Sequence, residues 1–295
     1  MILKGKNIVI TGAGRGIGKA AAIAIAKEGA NIGLTSRTLE ELNTTKKEIE
    51  SLGLGVKVVV KTADITKYDE VEKIFKEFHD ELGLLNGVIA NAGFAWLGFA
   101  PELDSEKFDM TLKVNILGVF NTFKAAYPFL KKDDKNAKAK FFITGSAVYP
   151  AAAPRMAAYG ASKYGVVGLQ RTIALEIKQK KENITINSIH PMQVDTKLLR
   201  GKRAGDGDKP PSVLDPEDLN VYYVFMMSDA SNRIHDGLLY PGDFEKVKKL
   251  INEAPEEKKE NVDVFNEYLQ EKAPKTFESV KKLKPLIQHF ITLSK

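Results

Sequence analysis

The run Thr11-Gly12-Ala13-Gly14-Arg15-Gly16-Ile17-Gly18 lies between a β-branched stretch and an amphipathic one. At such a strand-to-helix turn, free backbone N–H groups at the helix N-terminus can cradle a pyrophosphate, and glycines keep side chains from holding it away. The spacing is Gly-x3-Gly-x-Gly and not the strict G-x-G-x-x-G, so a glycine-rich turn with no ligand is the competing reading. A dinucleotide reader usually carries an acid for the ribose at the end of the second strand. Leu34-Thr35-Ser36-Arg37 has none there. Arg37, with Arg15 in the glycine run, offers guanidinium groups that can bracket a 2′-phosphate by charge-assisted hydrogen bonds, so NADP(H) is expected ahead of NAD(H). The same two arginines also read as solvated surface charges.

Tyr159 and Lys163 are a second pair with chemistry in their spacing. Four residues apart on a helix, they share one face and can reach one ligand. A phenol is a poor acid-base catalyst at neutral pH, and a neighbouring ammonium is expected to lower its pKa. Taken alone, a Tyr four before a Lys is unremarkable on any helix.

These residues need a frame. Short β-branched runs alternate with longer amphipathic ones, the pattern of a parallel sheet with helices on both faces. Strands are predicted at 7–11, 31–35, 56–61, 86–90, 139–144, 184–190 and 237–240. Helices are predicted at 16–28, 39–52, 67–82, 105–130, 156–181 and 216–228. Residues 191–215, rich in Gly, Pro and charge, break the alternation; an irregular stretch this long is usually a lid or a linker. The glycine run then falls after the first strand, Tyr159 and Lys163 open the helix at 156–181 that follows the fifth strand, and the expected fold class is α/β, Rossmann-type and doubly wound.

Taken in order along the chain, these motifs resemble the classical short-chain dehydrogenase/reductase family, from about residue 2 to about residue 242. Besides the glycine run, the match rests on Asp64, Asn91-Ala92-Gly93, Asn115, Ser146 and Tyr159-Gly-Ala-Ser-Lys163. The resemblance implies a seven-stranded, mostly parallel sheet, nicotinamide-dependent carbonyl or alcohol chemistry, and a homotetramer or homodimer. It implies a catalytic set of Ser146, Tyr159 and Lys163. Ser146 would polarise the substrate oxygen, Tyr159 would pass the proton and Lys163 would also hold the nicotinamide ribose. Asn115 would join a water-linked proton relay through Lys163. It further implies that Gly12, Gly14, Arg15, Gly16, Ile17, Gly18, Ser36, Arg37, Asp64, Asn91, Ala92, Gly93, Pro191, Val194 and Thr196 meet the cofactor, Asp64 near the adenine and Val194 and Thr196 near the nicotinamide amide. A regulatory dinucleotide binder is the competing class, and the intact Ser, Tyr and Lys set argues against it.

The sequence departs from the family pattern where Pro191 is followed by Met192 in place of a glycine, with Ala90 and Asn86 as lesser departures. A flexible apolar side chain at Met192 is expected to narrow the pocket. Apolar walls are expected from Phe94, Ala95, Trp96, Leu97 and Phe99, and from Val148, Tyr149, Pro150 and Ala151. Such walls favour a hydrophobic or ketoacyl-type carbonyl over a sugar or polyol, although the aromatics read equally as core or interface. Lys197, Arg200, Lys202 and Arg203 are candidates for an anionic substrate tail, with a solvated loop the blander reading.

Composition excludes several classes. Of 295 residues, 44 are Lys or Arg and 38 Asp or Glu, giving a net charge of +6 with the signs interspersed, so a small anion is at least as fitting a partner as nucleic acid. The absence of cysteine excludes disulfides, cysteine nucleophiles and thiolate metal sites, and it fits a cytoplasmic protein. Four histidines, His79, His190, His235 and His289, form no ligand motif, so no metal is expected. No apolar run reaches membrane-span length. The chain is expected to divide into a catalytic domain at 1–243 and a helical extension at 244–295. Apolar stripes in that extension, such as Val262, Phe265 and Leu269, are expected to pack on the domain or on a neighbouring subunit.

Overall fold

Seven strands form one sheet in the order β3-β2-β1-β4-β5-β6-β7, with every neighbouring pair parallel. The computed structural model describes residues 1–133, 137–149 and 151–241; the expected extension at 244–295 and Pro150 lie outside them. The strands are β1 (Asn7–Thr11), β2 (Asn31–Ser36), β3 (Val58–Thr62), β4 (Gly87–Ala90), β5 (Ala139–Thr144), β6 (Ile184–Ile189) and β7 (Gly237–Leu239). Between them run α1 (Gly16–Lys27), α2 (Leu39–Ser51), α3 (Tyr68–Leu82), α4 (Ser105–Leu112), α5 (Gly118–Ala126), α6 (Ala157–Gln179), α7 (Lys197–Arg200) and α8 (Asn220–Met227).

Strand alternation sends neighbouring side chains to opposite faces, and this builds two cores. On one face Ile8, Ile10, Ile32 and Leu34 pack with Ile25 of α1, Leu42 of α2 and Tyr223 of α8. On the other, Val9, Val88, Phe141 and Ile186 pack with Phe75 and Phe78 of α3, Val119 of α5 and Val166 and Ile173 of α6. Parallel strands buried on both faces read as near-continuous apolar runs, as Ile8-Val9-Ile10 and Phe141-Phe142-Ile143 do.

Two expectations needed correction. The single helix predicted over 105–130 is interrupted: α4 gives way to a wider π turn at Lys113–Leu117, then α5. Hydrophobic periodicity is blind to one extra residue in a turn, and here the wider turn carries the buried Asn115. The irregular segment 191–215 is also more organised than its composition implies, holding α7 and a 3-10 turn at Gly201–Arg203. Among the described residues no helix is long and apolar enough to cross a membrane.

Candidate active site

Because β2 and β4 flank β1 on opposite sides, the chain reverses direction across the sheet at β1, and in open α/β sheets that reversal opens a crevice at the carboxyl strand ends. A cleft of about 640 Å³ lies there. Every candidate catalytic and cofactor-binding residue borders it except Gly18 and Asn115.

The glycine run forms the floor. Gly12 has φ +66°, and a Cβ on it would come within 2.8 Å of Ala92 Cα. On Gly18 a Cβ would sit 2.3 Å from the Gly12 carbonyl oxygen and 2.5 Å from Asn91 Nδ2, so α1 can approach the turn this closely only through glycine. Asn91 Nδ2 donates to the Thr11 and Gly12 carbonyl oxygens at 3.1 and 3.3 Å. Thr11, which sequence reasoning passed over, accepts from the N–H groups of Asn91 and Ala92 at 3.0 and 3.1 Å, locking the β4 turn beside the glycine run. The N-terminus of α1 has no side-chain cap and no acid in its first turn. Its unpaired N–H groups and positive dipole end therefore suit a pyrophosphate.

At the adenosine end, Ser36, Arg37 and Asp64 line the cleft. Burial acts to raise the Asp64 pKa, but hydrogen bonds from Thr66 and the charges of Arg37 and Lys67 bring it below the usual value. Asp64 Oδ1 accepts from Thr66 N at 2.9 Å and Oγ1 at 2.8 Å, so it caps its own turn as well as facing the cleft. The strand end itself carries no acid, yet the fold brings one in from α2. Glu41 lines the cleft, approaches Arg15 at 3.5 Å and Lys197 at 3.7 Å, and packs its Cβ where a side chain on Gly14 would stand. No sequence signal marks Glu41, since its role depends on α2 packing against the glycine run.

At the other end, α6 presents Tyr159 and Lys163 together beside Ser146, which follows β5. The Tyr159 phenol faces Ser146, whose hydroxyl acts to lower its pKa. Lys163 is buried, its Nζ 5.4 Å from the Tyr159 ring centroid. Here the expected pKa relation changes. Burial pushes the Tyr159 phenol above its ordinary value, opposed only by the Ser146 hydrogen bond. Burial also lowers Lys163 to about 8. The phenol gains no offset from Lys163, whose Nζ donates to the Thr144 carbonyl oxygen at 2.9 Å.

Asn115 does not reach Lys163 through its side chain. Its Nδ2 donates to the Phe94 carbonyl oxygen and to Ser162 Oγ, both at 2.8 Å, and its Oδ1 accepts from Phe94 N at 2.8 Å. Ser162 Oγ in turn donates to the Tyr159 carbonyl oxygen at 2.7 Å. The π turn thus ties the loop after β4 to the start of α6, the two segments that flank the reaction end.

Phe94, Ala95, Leu97, Val148 and Ala151 line the cleft as expected, whereas Trp96, Phe99 and Tyr149 do not. Trp96 lies under Lys107 Nζ at 4.2 Å, and Tyr149 packs edge-on to Tyr164. Met192 borders the cleft but is 65% exposed, so it sits at the rim instead of constricting the interior. Thr196 packs over Gly16, bringing the segment after β6 across the pyrophosphate end. Of the four cationic candidates in that segment, Arg200 is committed elsewhere. Its side chain, only 9% exposed, binds Asp195 at 3.4 Å, Asp206 at 2.9 Å and the Asp208 carbonyl oxygen.

The short chain dehydrogenase family model matches residues 6–207. A (-)-trans-carveol dehydrogenase of Rhodococcus erythropolis is 29% identical over 280 residues, 90% of this chain and 90% of that one. The X-ray structure of an alcohol dehydrogenase from the archaeon Thermococcus sibiricus, complexed with 5-hydroxy-NADP, is 29% identical with a TM-score of 0.71 over 80% of this chain and 95% of that one. A carveol dehydrogenase from Mycobacterium avium in complex with NAD shares the fold, with a TM-score of 0.73 at 24% identity over 81% and 96% of the two chains. With the all-parallel sheet and the cleft at its reversal point, these matches place the chain in the short-chain dehydrogenase family, whose members are oxidoreductases of alcohols and ketones.

Proposed function

We propose that the protein is an NADP(H)-dependent oxidoreductase that interconverts a hydrophobic ketone and the corresponding secondary alcohol. The observation that carries this reading is the meeting of Ser146, Tyr159 and Lys163 at one end of a cleft whose other end offers an uncapped helix N-terminus and Arg37. A bound nicotinamide supplies the hydride. The protein supplies position and protons. Ser146 Oγ donates to the carbonyl oxygen and stabilises the charge that develops there. Tyr159, kept protonated by burial, gives its proton to that oxygen in the reductive direction. Lys163, which lines the cleft, would hold a ribose hydroxyl, and Asn115 ties together the segments on either side.

Apolar walls at Phe94, Leu97 and Val148 favour a hydrophobic body over a sugar or polyol. The carveol dehydrogenase relative supports the same choice. For the cofactor, Arg37 and the absence of an acid at the end of β2 favour NADP(H), while the Glu41 contact with Arg15 leaves Arg37 as the main 2′-phosphate partner. Residues 1–243 form the catalytic unit in this reading. Exposed Met110, Leu117, Phe120 and Leu175 on and between α4 and α6 support its assembly as a homodimer or homotetramer; a cytoplasmic setting fits the cysteine-free composition.

The test pairs a nicotinamide absorbance assay over hydrophobic ketones, ketoacyl thioesters and sugars with dissociation constants for NADPH and NADH. Turnover should appear with NADPH and a hydrophobic ketone. Arg37→Ala should weaken NADPH by about tenfold to 100-fold, as expected for a lost charge-assisted contact, and leave NADH nearly unchanged. Tighter binding of NADH than NADPH by the unaltered protein would reverse the cofactor assignment.

A further inference from the structure

Behind Ser146, outside the cleft, lies the fully buried His190 at the end of β6. Its Nδ1 is 3.1 Å from the Ser146 carbonyl oxygen and 3.4 Å from the Ser146 N, and its Nε2 is 2.8 Å from Ser188 Oγ. The ring lies so close to the backbone that a Cβ on Gly145 would stand 2.6 Å from both Cε1 and Nδ1. Tyr240 stacks on the imidazole at 5.2 Å and Tyr149 flanks it at 5.7 Å. Around it, Gly145 N donates to the Ile189 carbonyl oxygen at 2.7 Å and Ala147 N to that of Pro191 at 2.8 Å. The turn that carries Ser146 is therefore clamped to the end of β6 at three successive residues, at the middle one by the His190 side chain.

A buried imidazole has one proton to place when neutral, and burial together with the nearby Lys163 charge keeps this one neutral. On Nδ1, that proton meets the Ser146 carbonyl oxygen, the shorter of the two Ser146 contacts, while the Ser188 hydroxyl donates to Nε2. On Nε2, the Nδ1 lone pair would accept the longer 3.4 Å bond from Ser146 N–H but would still face the carbonyl oxygen at 3.1 Å inside the protein, the less favourable arrangement.

We propose that His190 is a positioning residue whose Nδ1–H holds the Ser146 carbonyl and so sets the direction of Ser146 Oγ at the reaction centre. This rests on the reading that Ser146 polarises the substrate oxygen. The ring acts through Ser146 and touches neither substrate nor cofactor.

Three variants and one spectrum test it. His190→Leu removes the donor, and kcat should fall by about tenfold to 100-fold, the scale expected when a catalytic group is displaced by a fraction of an ångström to 1 Å, with KM and the NADPH dissociation constant within about twofold. His190→Asn carries an N–H donor at nearly the Nδ1 position and should recover most of that loss. Ser188→Ala frees the tautomer and should cost less than His190→Leu. In the unaltered protein, nitrogen-detected correlation spectra of the four histidines should show one fixed in the Nδ1–H form and unprotonated at pH 5, its signal missing in His190→Asn. Unchanged kcat in His190→Leu, parallel loss of cofactor affinity, failure of Asn to rescue, or an Nε2–H tautomer would each overturn the proposal. If His190→Leu does not fold, the tautomer still decides. A protein that binds NADPH but turns over no carbonyl would refute the functional reading and leave the tautomer to judge the clamp.

Discussion

Lys163 Nζ donates to the Thr144 carbonyl oxygen at 2.9 Å, and the Thr144 hydroxyl donates to Asn91 Oδ1 at 3.1 Å. Since Asn91 also binds the Thr11 and Gly12 carbonyls, the candidate catalytic lysine ends a hydrogen-bonded path that begins in the glycine run. Tyr159 stands outside that path, facing Ser146 instead.

This difference separates two variants. Tyr159→Phe should lower kcat by about 10²- to 10⁴-fold, the usual contribution of a general acid, with NADPH affinity retained. Lys163→Met should lose both turnover and affinity, because it removes the ribose contact and leaves the Thr144 carbonyl unpaired. Equal loss of NADPH affinity in the two variants, measured by fluorescence titration, would contradict this division of labour.

Arg200 holds the segment between β6 and α8 in shape. Asp195 has a side chain only 4% exposed, with Arg200 Nη1 at 3.4 Å and Gly205 N at 3.0 Å on one oxygen and no partner among the described residues on the other. Arg200→Ala would strand a buried carboxylate, at a cost of about 3–5 kcal/mol for breaking such a pair from one side. The segment should then open, with faster proteolytic cleavage between residues 196 and 215, while the sheet remains folded. Wild-type cleavage kinetics would show that the ion pair is not what orders it.

Lys140 gives a pH signature. It lies buried on β5, at the end of the strand remote from the cleft, with Nζ 2.6 Å from Asn232 Oδ1. Burial lowers its pKa to about 7, the attraction of Asp229 opposing this and the charges of Lys6 and Lys138 adding to it. Between about 7 in the fold and 10.5 in the unfolded chain, the unfolded state binds more protons, so stability gains from this group as pH rises. Below pH 7 both states are charged and the full penalty remains. Lys140→Met should therefore raise stability most near pH 6–7, by an amount on the order of one to a few kcal/mol, with the advantage shrinking by pH 10. Melting curves of both proteins across that range test it, and a pH-independent difference would exclude titration of Lys140 as the cause.

The order of strands and helices was legible because its signals are local. Alternation of β-branched and amphipathic runs marked all seven strands, and a glycine run between the first strand and helix marked the phosphate-binding floor. The four-residue step from Tyr159 to Lys163 needed only helical geometry to place both on one face. The resemblance to short-chain dehydrogenases drew on the same ordered motifs.

What the sequence left open depends on chain segments that are distant in number and adjacent in space. Glu41 reaches Arg15 only because α2 packs on the glycine run, and His190 reaches Ser146 only because β5 and β6 are neighbours in register. The π turn at Asn115 adds one residue to a helical repeat, too little to disturb the pattern of apolar positions. Tyr159's raised and Lys163's lowered pKa were likewise beyond sequence reading. Spacing alone puts an ammonium near a phenol, but burial and the direction of each hydrogen bond decide which form each group prefers, and both are properties of the packed molecule.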